Sequence, residues 1–206
     1  MIRRRLALTV ALPLALAACA APPETDDPGT AEFAVIQRLD AIDAAVADWR
    51  DAGTLPEAKA AAELALNLVV GPDNPLYADG DGDGTVRGLR QELGLLPGLV
   101  WGGIAQDAAD NPCVEADVLG GSWADDGVSN SAARWAEAQA VYAAWTPERN
   151  TMPTLASHPQ RVVGWATLTL ALDDAAPGAL DTAHEYAGHA QLHVDVSREA
   201  VEGCAR

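Results

Sequence analysis

The sequence is poor in positive charge. Its 206 residues contain 13 Lys and Arg against 30 Asp and Glu, which gives a net charge of −17. Nucleic-acid binding needs clustered basic side chains that neutralise phosphates, and binding to an anionic membrane surface needs a polybasic patch. The composition therefore argues against both nucleic acid and an anionic lipid surface as partners.

The sequence also lacks the motifs of several enzyme and cofactor classes. It has no Gly-x-Ser-x-Gly nucleophile motif, no glycine-rich phosphate loop and no Cys-x-x-Cys-His haem-attachment motif. The acidic pairs Asp125-Asp126 and Asp173-Asp174 lie near loops and helix ends, where carboxylates are usually solvated. The sequence therefore favours a non-enzymatic protein, and no catalytic residue is assigned.

The first twenty residues have the pattern of a secretory signal. Arg3, Arg4 and Arg5 precede the uncharged stretch Leu6–Ala20, which is too short to span about 30 Å of hydrocarbon. No later stretch is long and apolar enough to cross a membrane. The segment ends in Leu16-Ala17-Ala18-Cys19, which resembles the lipobox of bacterial lipoproteins.

The lipobox resemblance implies that residues 1–18 are a signal peptide and that Cys19 carries diacylglycerol and an acyl chain such as palmitate. The alternative is an ordinary secretory signal with a chance cysteine. Residues 19–31 are rich in Pro, Asp and Thr, which is typical of a flexible tether. The resemblance implies an extracytoplasmic protein of the cell envelope. Because Ala20 is not the Asp that retains such proteins at the inner membrane of enteric bacteria, we expect the periplasmic side of the outer membrane if the cell is Gram-negative.

The two other cysteines, Cys113 and Cys204, would then share an oxidising compartment. Two thiols in such a compartment usually pair, so we expect a disulfide that fastens the middle of the chain to its C-terminal end. The alternative is two free thiols, which no neighbouring motif marks as reactive.

Apolar residues at three- and four-residue steps predict an all-α fold of four to five helices. Residues 32–206 are expected to form one domain. The expected helices are Ala31–Ala52, one starting at Thr54 and ending before Gly71, Ser131–Trp145, one from Ser157 to about Asp173, and Leu180–Val201. The segment Leu96–Asn130 is Gly- and Asp-rich, so we expect irregular structure with short helical turns there.

An acidic segment between the second helix and this irregular region carries the clearest chemical signal. Asp79, Asp81 and Asp83 alternate with glycines, and Thr85 follows at the seventh place of a loop that starts at Asp79. Carboxylates at alternate positions, with a carbonyl at the seventh, are the oxygen ligands that Ca²⁺ requires. Residues 79–90 resemble the loops of EF-hand and dockerin proteins, although no overall family is identified.

The resemblance fails at the twelfth place. Arg90 stands where those families have Glu or Asp, and Asp73, Glu92 or water could supply the missing oxygens. The alternative is a solvated turn that binds nothing, but three close carboxylates repel one another without a cation. A short helix is expected over Val86–Leu93. A single loop favours a structural role over that of a sensor, and disfavours a dockerin-like partner module.

Histidines near the C-terminus suggest a second, less specific site. On a helical wheel His189 and His193 lie one turn apart, and Glu185 precedes His189 by four residues. Two imidazoles and a carboxylate can bind Zn, Cu, Ni or Fe, which would make the protein a periplasmic metal-binding protein or metalloenzyme. The alternative is that these histidines pack in the core, since no His-Glu-x-x-His motif supplies a general base.

The leading hypothesis is a non-enzymatic, calcium-binding envelope lipoprotein that binds an unidentified protein or small molecule or supports envelope structure. Loss of residues 1–18, which contain three Arg and no acid, leaves 10 basic and 30 acidic residues, a net charge of −20. Such an excess of carboxylates favours cations as ligands.

Overall fold

A computed structural model describes residues 28–91, 94–121, 136–149 and 155–204. The predicted signal peptide, the lipidation residue Cys19 and residues 20–27 of the predicted tether lie outside the described residues, as does Glu92. The described part is all-α, as the sequence predicts. The helices are α1 (Pro28–Asp51), α2 (Leu55–Val70), α3 (136–143), α4 (His158–Leu170) and α5 (Ala179–Cys204).

Short elements occupy the connections between these helices. The strands β1 (Arg90–Gln91) and β2 (Gly94–Leu95) pair antiparallel. The 3-10 turns Ile104–Gln106 and Pro147–Arg149 and the π-helix Val114–Val118 complete the described elements. The expectation of irregular structure with short helical turns therefore holds for the described part of Leu96–Asn130.

The helices α2 and α4 begin where the sequence predicts, and each start has a side-chain cap. The Thr54 side chain accepts the Glu57 N–H, and the Ser157 side chain accepts the Gln160 N–H. Each helix also has a proline in its first turn, where the missing N–H costs no helical hydrogen bond. These caps set where both helices begin, and so which faces they turn to the core.

Four helices form an antiparallel bundle in which α1 and α4 each pack against both α2 and α5. Lys59 near the start of α2 donates to the Leu172 carbonyl (2.7 Å) and to the Asp174 carboxylate (2.7 Å), just beyond the end of α4. Arg198 near the end of α5 pairs with Asp40 and Asp43 of α1. Antiparallel packing lets each helix bury its apolar stripe against two neighbours.

The bundle encloses a core in which Trp49 and Trp165 are the largest fully buried side chains. Tryptophan removes a large apolar area from water. None of the helices in the described ranges has both the length and the apolar character needed to cross a membrane.

The middle segment is packed tightly against the end of α2. The N–H groups of Leu99 and Val100 donate to the Val69 carbonyl (2.9 and 3.1 Å), and both side chains are fully buried. A Cβ on Gly98 would lie only 2.4 Å from the Gly71 nitrogen. Glycine is therefore required at this crossing, because any side chain would push the two backbones apart.

Cys113 and Cys204 form the predicted disulfide, with Cα atoms 6.0 Å apart and a sequence separation of 91. The bond fastens the π-helix segment to the last turn of α5. Nearby, the Ser157 hydroxyl donates to the Val118 carbonyl (2.6 Å), which ties the start of α4 to the same segment. This end of the bundle is therefore held by one covalent and one buried polar link.

Two sequence-based expectations need correction. The helix α1 begins at Pro28, so the last four residues of the predicted tether are helical, since proline suits a first helical turn. The short helix expected over Val86–Leu93 is wrong, because Arg90–Gln91 is the strand β1. The Arg87 N–H donates to the Glu63 carboxylate (2.7 Å), and the next residue, Gly88, has a φ of 140°, which is outside the helical range.

Candidate functional site

The acidic loop, residues 78–88, is held against α2 by a buried asparagine. The Asn67 side chain is fully buried. Its amide donates to the carbonyls of Ala78 and Arg87, and its oxygen accepts the Ala78 N–H (3.3 Å). One side chain thus binds both ends of the loop and fixes the distance between them.

Glu63, one helical turn before Asn67, holds the loop at three further points. Its carboxylate accepts the N–H groups of Gly80 (2.9 Å), Asp81 (3.2 Å) and Arg87 (2.7 Å). The side chain is fully buried. Burial raises the pKa of Glu63, and the three backbone donors act in the opposite direction by stabilising its charged form. Glu63 is therefore a buried anion whose neutralisation by a cation would be favourable.

The carboxylate of Asp79 organises the turn itself. It accepts the N–H groups of Gly82 (2.8 Å), Asp83 (3.1 Å) and Gly84 (2.8 Å). Gly82 and Gly84 have φ angles of 75° and 89°, a left-handed region that glycine enters without strain. The Asp-Gly alternation therefore builds a tight loop whose backbone curves around Asp79.

Arg87 supplies a positive charge inside the loop. Its guanidinium pairs with Asp81 (3.2 Å) and with Asp83, and it also contacts the Thr85 carbonyl (3.4 Å). The hydrogen bond from Arg87 lowers the pKa of Asp83, and the same bond raises the pKa of Arg87. Arg87 is thus a tethered cation that partly offsets the carboxylates.

Three carboxylates converge on one point. Glu63, Asp79 and Asp81 each offer an oxygen, and these oxygens all lie within 4.8 Å of one another. Within the described ranges this is the one group of three or more His, Cys, Asp or Glu side chains that comes together in this way. It contains two of the predicted calcium ligands and one residue, Glu63, that sequence reasoning missed.

A signal for Glu63 was present in the sequence. Between Ala60 and Val70 the polar residues are Glu63 and Asn67, one helical turn apart in an otherwise apolar run. A charged residue on a buried helix face requires a partner, and that partner is the acidic loop.

The remaining predicted calcium ligands lie around this group. Asp83 and the Thr85 carbonyl face Arg87, so an ion would compete with the guanidinium for them. Asp73 is exposed and lies outside the group. The side chain of Arg90 and all of Glu92 fall outside the described residues.

A solvent-open cleft of about 270 Å³ lies beside the loop. It is lined by acidic, basic and apolar side chains together: Pro56, Glu57, Lys59, Ala60, Asp81, Asp83, Arg87 and Asp174. The cleft gives a small hydrated ion a route to the carboxylates.

The structure does not bring Glu185, His189 and His193 together as a metal-binding group. Glu185 is exposed. The His189 ring stacks on Trp165, with centroids 4.4 Å apart and planes at 11°. Residues four apart on a helix share a face, but packing against α4 turns each ring to a different partner.

His193, His158 and His184 have polar partners that the sequence did not identify. The Nδ1 atom of His193 lies 3.1 Å from Nδ1 of His158 at the start of α4. His184 contacts the Ala52 carbonyl through Nε2 (2.9 Å) and is half-buried.

Comparison of this chain with protein-family models, with curated proteins and with solved structures finds no match.

Proposed function

We propose that this protein is a calcium-binding lipoprotein of the bacterial cell envelope, with a binding or structural role and no enzymatic activity. The observation that carries the calcium part is the convergence of the buried Glu63 carboxylate with Asp79 and Asp81. The lipoprotein part rests on Leu16-Ala17-Ala18-Cys19.

The chemistry of the group favours a hard cation. All three donors are carboxylate oxygens, whereas transition metals favour imidazole nitrogen or thiolate sulfur. Calcium binds oxygens at 2.3–2.6 Å, so two ligands of one ion are separated by at most about 5 Å. Oxygens within 4.8 Å of one another meet that limit without movement of the helix. The Asp83 carboxylate and the Thr85 carbonyl would complete the shell once Arg87 moves aside.

The role of the ion would be to fasten the loop to the bundle. Glu63 and Asn67 already bind the loop backbone, and Gly80 lies against Leu170, so that a Cβ there would approach the Leu170 side chain to 2.9 Å. An ion shared by Glu63, Asp79 and Asp81 therefore links α2, the loop and the end of α4. This placement favours stabilisation of the domain over a sensor function.

The calcium proposal is tested by thermal unfolding of the full chain with and without Ca²⁺. Extracellular modules bind with a Kd of about 10⁻⁴–10⁻³ M, so 10 mM Ca²⁺ would add about 1–3 kcal/mol to the free energy of unfolding and raise Tm by roughly 3–8 °C. Chelator should reverse the rise.

Matched variants locate the ion. Glu63→Gln and Asp79→Asn are expected to abolish the rise in Tm, whereas Asp73→Asn removes the same charge outside the group and should leave it intact. The proposal fails if the unmodified chain shows neither a Tm shift nor heat of binding in calorimetry with Ca²⁺.

The lipid anchor is tested separately. Two or three acyl chains hold a protein stably on a bilayer, so the unmodified chain expressed in a bacterial host should sediment with membranes and incorporate labelled palmitate. Cys19→Ser should be soluble and unlabelled. Equal labelling of the two proteins would contradict the assignment of Cys19.

A further inference from the structure

A pair of histidines connects α4 and α5 at the end of the bundle far from the acidic loop. His158 is the first residue of α4, and His193 lies in the middle of α5. Their Nδ1 atoms are 3.1 Å apart, and their rings are tilted by 42° with centroids 5.3 Å apart. Two imidazole nitrogens from two different helices therefore lie within hydrogen-bond distance of each other.

This separation matches that of two ligands on one metal ion. Imidazole binds Zn²⁺ and similar ions at 2.0–2.1 Å, so two nitrogens on one ion lie roughly 2.9 Å apart in square-planar geometry and 3.4 Å apart in tetrahedral geometry. The observed 3.1 Å falls between these values. An ion could enter with a small displacement of the rings.

Two charged side chains act on the pair. Arg161 acts on both rings, and Asp117 acts on His158 with the opposite sign.

We propose that His158 and His193 form a two-histidine site for a divalent transition metal such as Cu²⁺ or Zn²⁺. Binding requires that the one Nδ1 proton shared by the pair moves to Nε2, a change of tautomer with no change of net charge. His158 is half-buried and His193 is buried, so His158 is the more accessible of the two ligands. Asp117 offsets part of the repulsion from Arg161.

The site is distinct from the calcium loop. His158 starts α4, and Leu170, the last residue of that helix, contacts the loop at Gly80. Twelve residue steps of 1.5 Å place the two sites about 18 Å apart along the helix. Sites that far apart with no shared ligand are expected to act independently.

The test uses Cu²⁺ with the full lipidated chain, purified in detergent without a polyhistidine tag. Calorimetry should show one Cu²⁺ bound per chain, and electron paramagnetic resonance should show hyperfine splitting from two imidazole nitrogens. In His158→Gln the affinity should fall roughly tenfold or more. The half-buried position of His158 makes this variant the decisive one if His193→Gln does not fold.

The controls are histidines with other partners. His184→Gln and His189→Gln should bind Cu²⁺ as the unmodified chain does, and 10 mM Ca²⁺ should not displace Cu²⁺. The proposal is overturned if the unmodified chain binds no Cu²⁺, or if His158→Gln, folded by circular dichroism, retains full affinity and the two-nitrogen signal. These results leave the calcium proposal unaffected, because that one depends on Glu63 and Asp79.

Discussion

The acidic loop takes its three aspartates from one short stretch of sequence, whereas the two histidines of the pair lie 35 residues apart, on different helices. In the loop Asp83 is exposed and Asp79 and Asp81 are partly buried, while the residues that support the loop, Glu63 and Asn67, are fully buried. The pair buries His193 itself and leaves His158 partly exposed. The difference shows two ways to keep polar groups in a small bundle: bury the anchor of an exposed group, or pair two groups that are neutral.

The two regions should also respond to protons in opposite ways. Burial raises the pKa of Glu63 and lowers the pKa of His193, because the charged form is disfavoured in both cases and the charged forms have opposite protonation. A fall in pH therefore stabilises the folded state through Glu63 and destabilises it through His193.

The largest expected effect comes from removal of the disulfide, which holds together the end of the bundle that lies far from the acidic loop. Replacement of both Cys113 and Cys204 by Ser should lower the free energy of unfolding by about 4 kcal/mol, because the bond closes a long loop. Urea denaturation measures the loss. Hydrogen exchange should increase around the π-helix Val114–Val118 and the start of α4, while calcium affinity changes little. An equal increase in exchange at the acidic loop would contradict the separation of the two ends.

A smaller effect is expected from pH. His193 has a pKa of about 4 in the folded protein against its usual 6.5, so its contribution to stability is present above pH 6.5 and is lost as the pH falls from 6.5 to 4. The loss amounts to about 2–3 kcal/mol at most. Urea denaturation at several pH values measures it, and His193→Gln should show a flatter profile over this range.

Glu63 provides the opposite sign, in a pH window that begins at its usual pKa of 4.5 and extends upward. The pKa of Glu63 is raised above its usual 4.5, so the folded state binds this proton at a higher pH than the unfolded state does. The free energy of unfolding therefore falls as the pH rises from 4.5 to the pKa of the folded state. Glu63→Gln should therefore lose more stability on acidification than the unmodified chain does. A parallel pH profile for the two proteins would show that the raised pKa has no consequence for folding.

The smallest effect concerns Arg87, the positive charge inside the acidic loop. Arg87→Gln removes the guanidinium that pairs with Asp81 and Asp83, so Ca²⁺ no longer competes for these oxygens. We expect calcium affinity to rise by roughly two- to fivefold for one partly exposed competing charge. Calorimetry measures the change, with Arg50→Gln, whose partner is Asp51, as the matched control. A fall in affinity would assign Arg87 a supporting role in the loop.

The elements of this fold that depend on nearby residues could be predicted from the sequence. The caps at Thr54 and Ser157, the breaks at glycine and proline, and the apolar stripes of the helices all act within a few residues. The acidic loop belongs to the same class, because Asp79, Asp81 and Asp83 are neighbours in sequence.

Features that depend on helix packing could not be predicted in this way. The wheel places His189 and His193 on one side of α5, but only the position of α4 decides that one ring meets His158 and the other meets Trp165. Similarly, the pattern over Val86–Leu93 favours a helix by itself, but Gly88 has a φ of 140° and Arg90–Gln91 pairs with Gly94–Leu95.

Lys59 has a practical consequence for chemical modification. It is the single lysine of the chain, and its amine is held between the Leu172 carbonyl and Asp174 with 11% of the side chain exposed. Amine-directed reagents therefore meet one side chain, and they can modify it readily only when the start of α2 separates from the end of α4. The rate of acylation at Lys59 would thus measure how often the bundle opens at the end that carries the acidic loop.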